Sequence, residues 1–291
     1  GNAEPAGDDE FMVRTAQKMY HEISPETGEF IDFMIDHELM DLQNKPGKAS
    51  TGYMTSLPSL KAPFVFSCFN HTIFDMQVLT HELGHAFAGY MAMRSQPISD
   101  YYSESTDIAE IHSMSMEQFA YPYAEWFFGD QADKFRFAHL QEALTFVPFG
   151  VAVDEFQHIC YAHPELTPRE RTYQWHLLEE KYMPWRRYED DAFMERGGYW
   201  YHKLHIYLYP FYYINYTLTT MGAMEFKKKY AENKEAAWQD YLRLCRTGGS
   251  RSYLETLRYA DLANPFEEGS VQRACGYAEE ILLQQIAAQE R

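Results

Sequence analysis

The sequence predicts a mainly α-helical fold with a small β element around residues 53–68. Three observations carry this. Phe74, Val78, Leu79, Leu83, Phe87 and Met91 recur at a spacing near 3.6, the period of a helix face. Helix start signals such as Ser24-Pro25 and Thr167-Pro168 recur along the chain. Gly47, Gly52, Pro58 and Pro63 interrupt the stretch before residue 70, around short apolar runs such as Phe64-Val65-Phe66.

Taken in order, Asp8 or Asp9 caps a first helix to about Ile23, and Ser24-Pro25 opens a second to about Leu42, ended by Asn44-Lys45-Pro46-Gly47. Residues 47–70 read as loops with one or two short strands. Their prolines point to edge positions, because proline cannot donate to a ladder. A helix runs from His71 to a loop over 94–103, followed by helices over 105–128 and 131–160. Thr167-Pro168 opens the next, ending near Met183-Pro184. Gly197-Gly198 precedes a long tyrosine-rich helix interrupted by Pro210. Ser252 and Glu255 form a capping box, and Asn264-Pro265 opens a last helix.

Composition narrows the function. The 291 residues are 46% hydrophobic and 23% charged, which excludes a disordered or low-complexity chain. The net charge of −18 argues against nucleic acid and against an anionic membrane surface as partners. It suits small neutral or basic substrates. No apolar run is long enough to span a bilayer, and the first residues carry no basic-then-apolar leader, so neither is expected. Cys68, Cys160, Cys245 and Cys275 form no CxxC pair, which suits reduced thiols in the cytoplasm.

The sharpest local signal is His81-Glu82-Leu83-Gly84-His85, an HExxH motif. Residues four apart on a helix share a face, so both imidazoles can reach one cation, and Glu82 stands beside them as a general base for a water the metal activates. Val78, Leu79, Phe87 and Met91 flank the motif, so its polar groups are expected to be buried, at a cost that a metal with hydrogen-bonded ligands would offset. A helical Gly84 suggests that something packs close to the backbone there.

A zinc site of this kind needs a third protein ligand and an open position. Glu110, on the next predicted helix, is the candidate if the two helices run antiparallel. Asp107 and Glu117 lie on a similar face and could orient the imidazoles, while His112 points elsewhere.

The stretches Phe64–Asn70 around Cys68, Leu79–Phe87 and Asp107–Met114 resemble the oligoendopeptidase F branch of the thimet oligopeptidase family, which are zinc metallopeptidases. The likeness continues through Val153-Asp154-Glu155-Phe156-Gln157-His158 and over 205–216. It implies a helical zincin-like catalytic domain over 1–291, one Zn2+ held by His81, His85 and Glu110, Glu82 as catalytic base, and oligopeptide substrates. It further implies that His205 and Tyr212 contact the substrate and its oxyanion, with Tyr209 and Tyr216 as competitors for the tyrosine role. Family members are usually about twice this long, so an N-terminal half of the same protein is an expected partner. The glycine-rich loop before the strand is reduced here to Ala49-Ser50-Thr51-Gly52-Tyr53.

Other readings stay open on the residues alone. A helical zinc carboxypeptidase uses the same HExxH motif. Glu82-x-x-His85 and Glu155-x-x-His158, with Glu110 and Glu117, supply the ligand types of a ferritin-like di-iron oxidase, although that leaves His81 unused. An inactive fragment or binding module is the third.

Overall fold

The Asp8 carboxylate accepts from the Phe11 amide and starts α1 (Asp9–Ile23). Ser24 both ends α1 and caps α2 (Pro25–Asp36), its hydroxyl taking the Thr27 amide while the Thr27 hydroxyl takes the Ser24 amide. This is a computed structural model, and it describes residues 3–289.

Helix α2 ends well short of the expected Leu42. Glu38 turns the chain with φ 53°, and β1 (Met40–Asp41) follows. With β2 (Tyr53–Leu57) and β3 (Ala62–Phe66) it forms a sheet of order β1-β3-β2, β1 parallel and β2 antiparallel to β3. The extra strand exists because the Leu39 and Asp41 carbonyls accept from the Val65 and Ser67 amides at 3.0 and 2.9 Å. Pro63 therefore lies in the central strand rather than at an edge. It is tolerated because β1 pairs only with Val65 and Phe66, so no β1 carbonyl lacks a donor at Pro63.

Helix α3 (Ile73–Ser95) is buried on most sides, although Phe74 at its start faces out. Helix α4 (Thr106–Phe119) is followed by a 3₁₀ turn over Tyr121–Tyr123 and α5 (Ala124–Phe128), so the continuous helix expected over 105–128 is broken. Pro122 in the turn has no amide to continue the ladder.

Next come α6 (Ala132–Ala162), α7 (Pro168–Tyr182), whose capping box joins Thr167 to Glu170, and α8 (Ala192–Glu195). The tyrosine-rich segment is not one helix. It is a 3₁₀ turn over Gly198–His202, the short α9 (Leu204–Leu208), an irregular stretch around Pro210, and then α10 (Ile214–Glu232). The chain closes with α11 (Lys234–Thr247), α12 (Tyr253–Tyr259) behind the Ser252–Glu255 capping box, and α13 (Ser270–Gln289). The last helix begins later than Asn264, whose side chain accepts from the Phe266 amide and holds a turn instead.

Helix α3 packs on α4 and α11, and α4 on α10, around a core that includes Phe30, Leu83, Phe87, Ile111, Phe119, Phe226 and Tyr241. A second core joins α6 and α7 to the 199–216 segment through Phe149, Phe156, Trp175 and Trp200. Among the described residues, no helix is long and apolar enough to cross a membrane, and all four cysteines are unpaired.

Candidate metal centre

His81 and His85 stand one turn apart on α3 with their rings 4.9 Å apart and nearly perpendicular. Helix α4 brings Glu110 against both. Its Oε2 lies 3.1 Å from His81 Nε2 and 3.3 Å from His85 Nε2. One ligand atom from each residue falls within 4.8 Å of the others, the single such three-residue group among the described residues.

The approach depends on Gly84. A Cβ there would stand 2.7 Å from the Ser113 Cα and 3.1 Å from the His112 carbonyl oxygen, so only glycine lets α4 come this near. Glycine in a helix costs about 1 kcal/mol relative to alanine, and the close crossing is what it makes possible.

The donor set suits a divalent cation. Burial alone would draw the His81 pKa down, but hydrogen bonds to Glu110 and Glu117 outweigh it and hold it well above the usual histidine range. Burial likewise opposes ionisation of Glu110, and His81 and His85 override it, keeping that carboxylate ionised far below its ordinary pKa. An ionised carboxylate facing two imidazole nitrogens is a place where a cation can sit between them. Two imidazoles, one carboxylate and an open side match a zinc site that keeps a free position.

The open side is a cleft of about 460 Å³, lined among others by Tyr53, Met54, Ser56, Glu82, Glu104 and Tyr216. Glu82 sits on its floor, 8% exposed, and burial raises its pKa. Gly52 lies over it, since a Cβ there would stand 3.1 Å from Glu82 Oε1. The shortened loop thus still passes directly above the carboxylate. Strand β2 lies at the edge of the sheet, with Tyr53, Met54 and Ser56 on the cleft wall.

Glu117 accepts from His81 Nδ1 at 2.6 Å, the orienting contact expected of it. Asp107 does not make one. It takes the Ser105 hydroxyl at the start of α4 and reaches neither imidazole. His112 is buried away from the ligand group, its Nδ1 3.1 Å from Glu104. This pair was not legible in the sequence.

The tyrosine-rich segment brings one of the three candidate tyrosines to the cleft. Tyr216, at the start of α10, lines the cleft. The Tyr212 ring lies 5.4 Å from it and His205 6.0 Å from it, while Tyr209 is exposed. The loop before α10 turns at Phe211, whose φ is 62°. Its amide donates to Oε1 of the buried Gln157 at 2.8 Å. Gln157 lies in a stretch the sequence singled out, but no spacing tied it to Phe211.

The second ExxH pair joins no metal group. Glu155 is held by Lys181 and the Tyr182 hydroxyl, and His158 faces Asp154 on the surface of α6, so the di-iron arrangement is not assembled.

Two imidazoles from one helix and a carboxylate from the next converge under an open cleft on a helical frame, a group that could hold a metal ion. Residues 13–276 match peptidase family M3, and the chain belongs to that family. It is 24% identical over 234 residues to an oligoendopeptidase F homologue of Borreliella burgdorferi, covering 77% of this chain and 38% of that protein. Its fold superposes on PZ peptidase A with an inhibitor at a TM-score of 0.90 and 49% identity, covering 98% of this chain and 50% of that one. A Bacillus anthracis protein proposed to be an oligoendopeptidase F gives 0.84 and 43%, over 98% of this chain and 48% of that one. The chain therefore spans half or less of the length of these relatives.

Proposed function

We propose that this chain is the metal-bearing catalytic part of a zinc-dependent endopeptidase that hydrolyses short peptides. The observation that carries the reading is the convergence of His81, His85 and Glu110 on one point, with Glu82 beside it in the cleft. Zn2+ held by those three side chains would supply Lewis acidity, polarising the scissile carbonyl and acidifying water. Glu82 takes the proton from the attacking water as its oxygen bonds to the carbonyl carbon. It then returns that proton to the leaving nitrogen as the C–N bond breaks.

The oxyanion needs a donor that stays protonated. Burial raises the pKa of Tyr216, so its phenol is available at the cleft wall. Tyr212 and His205, with rings 5.4 and 6.0 Å from that of Tyr216, stabilise the oxyanion with it and hold the substrate backbone. The free edge of β2 offers an extended peptide a strand to pair with. The domain spans 1–291, and an N-terminal half of the same protein supplies the facing wall of the channel. Unpaired cysteines fit a cytoplasmic setting.

The test is Glu82→Gln, assayed on a peptide blocked at both ends. Internal cleavage by the wild type, abolished by the substitution while zinc content stays near one per chain, supports the reading. Comparable hydrolysis by the variant removes Glu82 as base, and failure to cut any blocked peptide favours a carboxypeptidase or an inactive module.

A further inference from the structure

Behind His81 the hydrogen bonding continues beyond anything the metal motif contains. Glu117, largely buried with its side chain 12% exposed, uses both oxygens. Oε1 faces His81 Nδ1 at 2.6 Å, and Oε2 faces His139 Nε2 at 2.5 Å. The other nitrogen of that second ring, Nδ1, lies 2.6 Å from the Tyr121 hydroxyl. His139 is on α6, and Tyr121 is in the turn that breaks the predicted 105–128 helix.

The donor count in this chain has one solution when both rings are neutral. Each Glu117 oxygen faces one ring nitrogen, and a carboxylate has no hydrogen to give, so it is an acceptor at both oxygens. His81 must then donate from Nδ1, which leaves the Nε2 lone pair facing Glu110. His139 must donate from Nε2, which leaves its own Nδ1 bare, and the Tyr121 hydroxyl fills it. Tyr121 is fixed from several sides. Arg136, nearly one turn before His139 on α6, donates to its carbonyl oxygen from Nε and Nη2 at 3.1 and 2.9 Å. Lys227 Nζ of α10 lies 3.4 Å from its ring centre.

We propose that His139, held in register by Tyr121, is a positioning residue for the metal centre, acting through Glu117 to fix the tautomer and orientation of His81. The inference rests on the zinc-site reading above. It assigns the task to two residues outside the HExxH motif and outside α4. Removing a direct hydrogen-bond partner of a ligating histidine typically changes metal affinity about 10–100-fold, and His139 acts on such a partner, Glu117.

The experiment measures the Zn2+ dissociation constant by chelator competition for the wild type, H139L, H139Q and Y121F, beside thermal melts of the metal-free proteins. H139L is expected to bind zinc about tenfold more weakly, the lower end of the range for a direct partner. H139Q, whose amide can donate to Glu117 and accept from Tyr121, recovers most of that affinity, and Y121F falls between. Unchanged affinity in H139L overturns the proposal, as does an H139Q loss equal to that of H139L, which marks the ring as packing only. Should H139L fail to fold, Y121F, nearly unchanged in volume, carries the test, and wild-type affinity there overturns the proposal. The metal-site reading fails separately, and takes this inference with it, if the wild type binds no Zn2+ or if binding survives His85→Ala.

Discussion

Gly84 on α3 faces Ser113 on α4 so closely that one added methyl group would sit 2.7 Å from the Ser113 Cα. The obstacle is backbone and cannot rotate away. Gly84→Ala should therefore push the helices apart, despite alanine's better helix propensity, and destabilise the fold by about 1–3 kcal/mol, the range for overpacking. Because the same crossing carries Glu110 to the imidazoles, zinc affinity should fall with it. Denaturant melts and chelator competition on one variant check both effects, and a variant as stable as the wild type with undiminished affinity refutes the link.

Metal removal should lower stability by linkage. A ligand that binds only the folded state at a thousand times its Kd adds about 4 kcal/mol. Chelation should thus reduce the Tm of the wild type. It should leave His81→Ala almost unmoved, because the site is already lost. Calorimetry with and without chelator makes the comparison, and an equal chelator response in both proteins would mean the ion binds elsewhere.

Gln157 should matter to turnover more than to substrate binding. It holds the Phe211 amide at a left-handed turn, where a residue with a Cβ is strained. Gln157→Leu frees that turn and the Tyr212 beside it. We expect kcat to drop about tenfold, the share of one oriented donor, with KM changed less. Steady-state kinetics on a blocked peptide decides this, and a rise in KM alone would assign the loop to binding.

Lys227 should impose a pH dependence on stability. Burial draws its pKa down to about 7, with repulsion from Arg136 adding to it, against 10.5 when unfolded. Between those values the unfolded chain holds a proton that the folded chain lacks, so this residue's penalty shrinks as pH rises from 7 towards 10.5 and is fully present below 7. The Tyr121 ring face offsets part of the penalty by holding the charged form. Lys227→Met should flatten that slope and stabilise the protein near pH 6 by on the order of a few kcal/mol. Urea melts at pH 6 and pH 9 show whether the variant and wild type converge at the higher pH.

Much of this was legible early. The His81-Glu82-x-x-His85 face follows from helix geometry, and Gly84 was readable as a close packing point because a helix rarely keeps glycine without a reason. Capping signals at Ser24, Thr167 and Ser252 placed helix starts well. Helix ends were harder. Met40–Asp41 became a strand because carbonyls at 39 and 41 meet amides at 65 and 67. The break at Pro122 looked like helix because the apolar pattern runs through it.

By itself, then, the sequence determined the helical class, the paired imidazoles and their neighbouring carboxylate, since these depend on contacts within one or two turns of chain. The tertiary structure decided the rest. It chose Glu117 over Asp107 beside His81, set Tyr216 rather than Tyr212 at the cleft wall, and linked His139 and Tyr121 to Glu117. Those relations depend on how α3, α4, α6 and α10 cross, and crossings are fixed by packing between residues far apart in the chain, which no local spacing records.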